Sequence, residues 1–382
     1  SDRSLQAPAA TGPYRIAEYD PNDQIVLERN PGVRPRGRIA AGRPDRIVVA
    51  LGVDPARSAA LIARGDADYT QSRLSESLLD RAAGAGARVR RWTEGSTYYF
   101  FMNVNEKPFT SAKVRRAVNL AISRPALVRF FEGNAIATRQ MIPPATAGFR
   151  RLRVYPRPKV AQARRLVSQA GARGASVTVW GHTTDPSPAA TRYLAQRLQT
   201  IGLRPRIVFA DKAGMLERIG NRRTGAQIGY ARWQQDYPDA GVLLDRLFNG
   251  RNLRATDNLN YSYVNDARVN SLIARARRTG SASRRAALYR QIDRRVVNRS
   301  YVAPFANSRR NDVVSARVGG YVAHQVYGFL WSRARVPADR SAIAAFEAAR
   351  DRVDAAPAPP SPVTSELAAP ALRGEGALAA QS

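Results

Sequence analysis

Between Tyr14 and Trp331 the chain alternates between two patterns of hydrophobic positions. Short runs rich in β-branched and aromatic residues, such as 96–105 (STYYFFMNVN) and 204–209 (RPRIVF), predict strands. Longer segments predict amphipathic helices, because their apolar residues recur three and four positions apart, as in 111–123 (SAKVRRAVNLAIS). This alternation predicts an α/β protein with two mixed sheets.

The same patterns place the individual elements along the chain. The predicted strands are 14–19, 24–29, 46–52, 96–105, 176–180, 204–209, 226–233, 301–307 and 312–318. The predicted helices are 55–64, 111–123, 124–133, 157–171, 191–202, 238–248, 266–278 and 283–297. Local residues mark some ends: Asp54 is placed to cap the first helix and Gly65 to end it.

Composition narrows the class of protein. With 382 residues, 44% of them hydrophobic, the chain is long enough for two domains with real cores. It has no cysteine, and its two histidines, His182 and His324, leave little material for a metal site or a Ser/His/Asp triad. Glycine-rich phosphate loops are also absent from the sequence. We therefore expect a protein that is not an enzyme and that uses neither a metal nor a cofactor.

The net charge of +31 first suggests a nucleic-acid partner. However, the chain has only four lysines, and its arginines are spread along the whole sequence beside abundant alanine. No motif typical of DNA or RNA recognition accompanies them. We interpret the charge as a compositional surface and do not expect nucleic acid as a partner.

Four separated segments carry a resemblance to a known family. They are 10–32 (ATGPYRIAEYDPNDQIVLERNPG), 98–128 (YYFFMNVNEKPFTSAKVRRAVNLAISRPALV), 230–240 (YARWQQDYPDA) and 300–321 (SYVAPFANSRRNDVVSARVGGY). In that order and spacing they resemble the extracellular solute-binding proteins, family 5, of ABC importers, which include the oligopeptide- and dipeptide-binding proteins.

The resemblance implies a type II periplasmic-binding fold, in which two lobes close on a ligand. Residues 1–109, with a return segment at 318–350, resemble part of the first lobe, and 110–317 resemble the second. Family members carry a long stretch before the "TGPY" turn, so the chain resembles a member truncated at its N-terminus. Residues 351–382, rich in proline and alanine, predict a disordered tail.

In peptide-binding relatives an aspartate in the "W-x-x-D" segment pairs with the α-ammonium of the ligand, and Asp236 matches that position. Two alternatives remain open: Asp236 caps the following helix, or it pairs with one of the many arginines. Asp239 is the better capping candidate because it lies inside the first turn. Trp233, three residues before Asp236, either floors a side-chain pocket or belongs to the core.

Three further residues, Tyr98, Tyr99 and His182, match positions that line or face the cleft in the family, and Arg232 is a fourth candidate. Tyr98 and Tyr99 lie on one strand and therefore face opposite ways, so only one of them is expected to meet the ligand, with Tyr99 preferred. His182 follows a strand and is either a cleft residue or a structural histidine. Arg232 is a candidate for the ligand carboxylate, although so many arginines make such a match close to chance.

The resemblance implies the substrate-binding component of an ABC transporter, which captures short peptides or similar amine-bearing solutes by lobe closure. Its partners would be ABC permease subunits, and it would act as a monomer. The implied location is extracytoplasmic, periplasmic or at the cell surface, although this chain shows no signal peptide. The alternative is a degenerate solute-binding module that serves as a sensor or interaction domain of a larger regulator.

Overall fold

The computed structural model describes residues 8–34 and 42–337. The predicted tail and part of the predicted return segment lie outside the described residues. Among those described, 8–91 and 311–337 belong to one unit (unit 1) and 92–310 to another (unit 2). The boundaries of the units fall at 91/92 and 310/311, earlier in the chain than the predicted lobe boundaries at 109/110 and 317/318. The lobe assignment itself remains a prediction.

The elements follow the alternation expected from the hydrophobic pattern. The strands are β1 (Tyr14–Tyr19), β2 (Gln24–Arg29), β3 (Arg46–Ala50), β4 (Tyr69–Thr70), β5 (Arg88–Met102), β6 (Ala135–Ala137), β7 (Ser176–His182), β8 (Arg204–Ala210), β9 (Ile228–Gln234), β10 (Val302–Val314), β11 (Ala323–His324) and β12 (Gly328–Phe329). The α-helices are α1 (Pro55–Arg64), α2 (Glu76–Gly84), α3 (Ala112–Ala121), α4 (Arg124–Val128), α5 (Val160–Gln169), α6 (Ser187–Thr200), α7 (Lys212–Gly220), α8 (Gly241–Phe248), α9 (Ala267–Arg277) and α10 (Ala282–Asn298).

Unit 1 contains the antiparallel meander β1-β2-β3 and a small helical core. Helix α1 begins and ends as its sequence predicts: the Asp54 carboxylate accepts hydrogen bonds from the amides of Ala56 and Arg57, and Gly65 adopts a left-handed conformation with φ of 81°. Helices α1 and α2 enclose a core that includes the fully buried Leu79. The strand pairs described in this unit are antiparallel.

Unit 2 is built around one mixed sheet with the strand order β10-β5-β9-β7-β8. Strand β9 runs antiparallel to β5, with Tyr98 opposite Arg232, and parallel to β7. Strands β7 and β8 are also parallel, and helix α6 makes the crossover between them. The chain passes between the units within β5 and within β10.

Each face of this sheet packs against its own core, because side chains alternate along every strand. Tyr98 and Phe100 belong to the core on one face (the first core), which helices α3, α5 and α6 cover. Tyr99 and Phe101 belong to the core on the other face (the second core), which α8, α9 and α10 cover. The prediction that the two tyrosines face opposite ways is therefore confirmed.

Several elements differ from their prediction, among them one strand and two helices of unit 2. Strand β10 is continuous where two short strands were expected, because the polar residues Ser308 and Asn311 are buried within it and do not interrupt the ladder. Helix α8 begins at Gly241, three residues after the expected start at Pro238. Helix α7 was not predicted, although Asp211 caps it by accepting from the Gly214 amide.

Candidate functional site

The candidate site begins at the bend that follows strand β9, and Gln235 fixes this bend. Its side chain is buried, its amide donates to the Gly95 carbonyl at 2.8 Å, and its side-chain amide donates to the Asp239 carbonyl at 3.0 Å. The Thr146 hydroxyl donates to the Gln235 side-chain oxygen at 2.8 Å. A buried anchor with three hydrogen bonds therefore aims the next residue, Asp236, from a fixed backbone position.

Asp236 itself is exposed, and within the described part of the chain its carboxylate makes no hydrogen bond or ion pair. Asp239 instead accepts from the amide of Gly241, the first residue of α8, at 2.7 Å, and pairs with Arg285 at 3.2 Å. Asp239 therefore binds the first amide of α8, but it lies just before the helix and not inside its first turn as expected. Among the described residues, Asp236 neither caps a helix nor pairs with an arginine.

Arg232 lies on β9, and its guanidinium already has polar partners within unit 2. It donates to the Ser96 hydroxyl at 3.0 Å and to the Gln234 side-chain oxygen at 2.7 Å, and it lies 3.6 Å from the Glu94 carboxylate. The same guanidinium stacks over the ring of Tyr98, 5.2 Å from its centroid. A ligand carboxylate would therefore compete with Glu94 for this cation, which weakens the proposed role of Arg232.

His182 is the last residue of β7 and is buried. Its Nδ1 accepts from the Thr184 amide at 3.2 Å, and its ring meets the Tyr230 ring edge-on at 5.2 Å between centroids. Tyr230 in turn lies 6.0 Å from Tyr98 within the first core. These contacts give His182 a structural environment; its role as a ligand contact remains a prediction.

Tyr99 and Trp233 lie on the opposite face, at the second core. The Tyr99 side chain is 2% exposed, and burial, together with the neighbouring Tyr261, raises its pKa well above the ordinary value for tyrosine. Trp233 is half-buried against the same core, and its indole Nε1 is buried and has no hydrogen-bond partner in residues 8–34 and 42–337. The structure thus groups Tyr98, Arg232 and His182 on one face, Tyr99 and Trp233 on the other, and Asp236 beyond the strand end.

Sequence reasoning missed two residues that shape this region, Gln235 and Glu94. Glu94 is 8% exposed and pairs with Arg232 and, at 3.8 Å, with Arg310. The one sequence signal for Glu94 is its position two residues before the strongly apolar segment 96–105. Gln235 carries no signal apart from its place beside Asp236.

The described residues, 8–34 and 42–337, contain neither a metal-binding cluster nor a membrane-spanning helix. These residues hold no group of three or more His, Asp or Glu side chains arranged to bind a metal ion. None of their helices is both long and apolar enough to cross a lipid bilayer.

Solved structures share this fold. An oligopeptide-binding protein of clavulanic acid biosynthesis (oligopeptide binding protein 2) superposes with a TM-score of 0.79 at 22% identity, over 87% of this chain and 64% of that one. The periplasmic binding protein DppA from Helicobacter pylori, solved with the peptide STSA, gives 0.70 at 20% identity, over 88% and 64%. The fold is therefore that of periplasmic binding proteins, as the sequence predicts.

The particular family follows from sequence. The model of the bacterial extracellular solute-binding proteins, family 5 (middle region), matches residues 1–254, and the chain belongs to this family. Similar curated proteins include the glutathione-binding protein GsiB of Escherichia coli K12, 27% identical over 295 residues, and that of Salmonella typhi, 28% identical over 290. Each alignment covers 74% of this chain and 56% of the relative, so the chain spans little more than half of their length.

Proposed function

We propose that this chain is part of the substrate-binding component of an ABC importer, and that it binds short peptides or similar amine-bearing solutes. Membership in the solute-binding family supports a binding role rather than catalysis. A glutathione-binding protein is among its similar relatives, and a protein solved with a bound peptide shares its fold. The proposed location is extracytoplasmic, and the proposed partners are the solute and ABC permease subunits, with the chain acting as a monomer.

The observation that carries the ligand class is the state of Asp236. In a protein of net charge +31, this exposed carboxylate has no arginine partner among the described residues, although Asp239, three residues away, has one. The Gln235 anchor holds it in place without neutralising it. A fixed and uncompensated carboxylate suits a ligand ammonium, which loses water on binding and needs a charge-assisted hydrogen bond in return.

The polar groups of the first core support a secondary part of this proposal. Arg232 is paired with Glu94, so it presents little net charge to a ligand. We infer that the chain recognises the amino end of its ligand through Asp236 more strongly than the carboxyl end through Arg232. The regulatory alternative gains no support from the structure or from the similar proteins.

Calorimetry with a free and an N-acetylated peptide tests the role of Asp236. Asp236→Asn keeps the shape and removes the charge; losing one side of a desolvated ion pair costs about 2–5 kcal/mol. We therefore expect roughly 30- to several-thousand-fold weaker binding of the free peptide. The acetylated peptide binds the native protein poorly and loses little more with the variant, as a double-mutant cycle requires.

Glu217→Gln is the matched control. Glu217 is an exposed carboxylate on α7 without a partner in the described chain, so its substitution removes the same charge at a different place. Its affinity for the free peptide should equal that of the native protein. Equal binding of the free peptide by native protein and Asp236→Asn would remove Asp236 from the site, and failure of the native chain to bind any peptide would contradict the proposed ligand class.

A further inference from the structure

The hairpin of helices α9 and α10 carries an unusual density of positive charge. Segment 267–299 contains ten arginines and one acidic residue, Asp293. Asp293 is buried and accepts from the amide of Met141 at 2.9 Å, so it does not offset the surface charge. The arginine content of this segment is about twice that of the whole chain, so the compositional bias alone does not account for it.

Two adjacent depressions lie on this hairpin. The first has a volume of about 480 Å³ and includes Ser281 and Gln291 in its lining. The second has a volume of about 300 Å³ and shares Gln291 with the first. The exposed arginines that line the two depressions are Arg268, Arg275, Arg278, Arg284, Arg294 and Arg299 (the arginine face).

None of the six side chains has an ion-pair or hydrogen-bond partner within the described part of the chain. Neighbouring arginines do have partners: Arg277 pairs with Asp245 at 2.6 Å and Arg295 with Asp266 at 2.8 Å. No acidic side chain of the described residues lines either depression. The paired cations thus lie beside the arginine face, and the face itself holds uncompensated charge.

From this arrangement we propose that the arginine face is a docking surface for a membrane surface rich in anionic phospholipid. A planar guanidinium donates two parallel hydrogen bonds to a phosphate oxygen pair, which makes arginine well suited to phosphodiester headgroups. Arg284 and Arg294 lie ten residues apart on one helix, about 15 Å at a rise of 1.5 Å per residue. That spacing fits an array of separate phosphates better than one small anion.

Nucleic acid also presents an array of phosphates, but two observations favour the membrane. The described residues that line the depressions include no aromatic side chain on which a base could stack. The chain also belongs to a family of extracellular proteins, which meet a lipid surface. The choice of membrane therefore rests on the proposed extracytoplasmic location, whereas the arginine face itself does not depend on peptide binding.

Flotation with lipid vesicles tests the proposal. The native protein should bind vesicles that contain phosphatidylglycerol, should not bind pure phosphatidylcholine, and should be released by salt. Each arginine near an anionic surface strengthens binding about fivefold, so Arg275→Gln, Arg284→Gln and Arg294→Gln together should weaken it about 100-fold. The substitutions lie on exposed positions, and circular dichroism verifies the fold.

The matched control removes three exposed arginines from other elements of unit 2: Arg116→Gln on α3, Arg165→Gln on α5 and Arg206→Gln on β8. This variant has the same net charge and should keep nearly native affinity. Equal loss in both variants, or no binding by the native protein, would overturn the proposal. Tighter binding to a short DNA duplex than to vesicles, lost in the α9–α10 variant, would overturn it in favour of nucleic acid.

The peptide experiment separates this proposal from the proposed function. The α9–α10 variant should bind peptide as the native protein does, and Asp236→Asn should bind vesicles as the native protein does. Vesicle binding that persists in a chain unable to bind peptide supports the docking surface and counts against the ligand class alone.

Discussion

The buried carboxylate of Asp293 predicts that the stability of unit 2 falls as the pH rises. Asp293 is 2% exposed on α10, between the second core and the segment 140–142. Its oxygens accept from the amides of Met141 and Ile142 and from the side chain of Gln140. Burial raises the pKa of this carboxyl to about 7, because loss of solvation outweighs these three hydrogen bonds.

The sign and size of the effect follow from linkage. The folded-state pKa of about 7 lies above the ordinary value of 3.8, so the folded protein holds a proton that the unfolded chain releases. The stabilisation is fully present below about pH 4 and is lost as the pH rises through about 7. A difference of about 3 units corresponds to at most about 4 kcal/mol, at 1.36 kcal/mol per unit.

Urea unfolding at a series of pH values from 5 to 8 measures this effect. The native free energy of unfolding should decrease by a few kcal/mol across the range, and this contribution should be absent from Asp293→Asn. The variant also loses acceptor capacity towards three donors, and this loss applies at every pH. Relative to the native protein, the variant is destabilised most strongly at pH 5, because the native protein gains most there. The informative quantity is the difference in free energy of unfolding between the native protein and the variant, followed as a function of pH.

Asp266→Asn provides the control. Burial raises the pKa of Asp266, but hydrogen bonds from Arg295 and Tyr301 outweigh it and hold the pKa below its usual value. The stabilisation from Asp266 is therefore lost only as the pH falls below about 4, and its variant should be destabilised equally from pH 5 to 8. Parallel pH profiles for the native protein and Asp293→Asn would refute the reasoning.

Two further predictions concern packing in unit 2. A Cβ at Gly229 would lie 2.6 Å from the carbonyl oxygen of Trp180. Gly229→Ala should therefore lower the free energy of unfolding, measured by urea titration, by about 1–3 kcal/mol. Gly84→Ala is the control and should not lower it, because a Cβ at Gly84 would have no atom within 4 Å. Phe305 is fully buried in the first core, so Phe305→Ala should lower the free energy of unfolding by about 3–5 kcal/mol. Phe130 is 38% exposed, and a decrease for Phe305→Ala no larger than that for Phe130→Ala would contradict the assigned core.

Much of the fold was predictable because its signals are local. Period-two alternation in 96–105 placed a strand and separated Tyr98 from Tyr99, and the structure confirms both. The Asp54 cap and the Gly65 stop bound α1 as expected. Strand β10 was split in the prediction because its polar middle resembles a loop, and only the surrounding strands make those polar residues buried.

The sequence offered candidate residues for the site but did not indicate their environment. The "W-x-x-D" match made Asp236 a candidate, but nothing local indicates that, within the described residues, Asp239 has an arginine partner and Asp236 has none. The partner of Asp239 is Arg285, 46 residues later in the chain. Likewise the engagement of Arg232 depends on Glu94 and Ser96, which reach it only through the pairing of β5 with β9.

The sequence by itself therefore determined the alternation of elements, the two ends of α1, the opposite faces of one strand and the family. These properties depend on residues within a few positions of each other, or on segments whose order is preserved. The tertiary structure decided which charges are paired and which polar groups are buried, as with Asp293 and Met141, 152 residues apart. Such contacts depend on the positions of whole elements, because burial and pairing arise only when distant segments pack together.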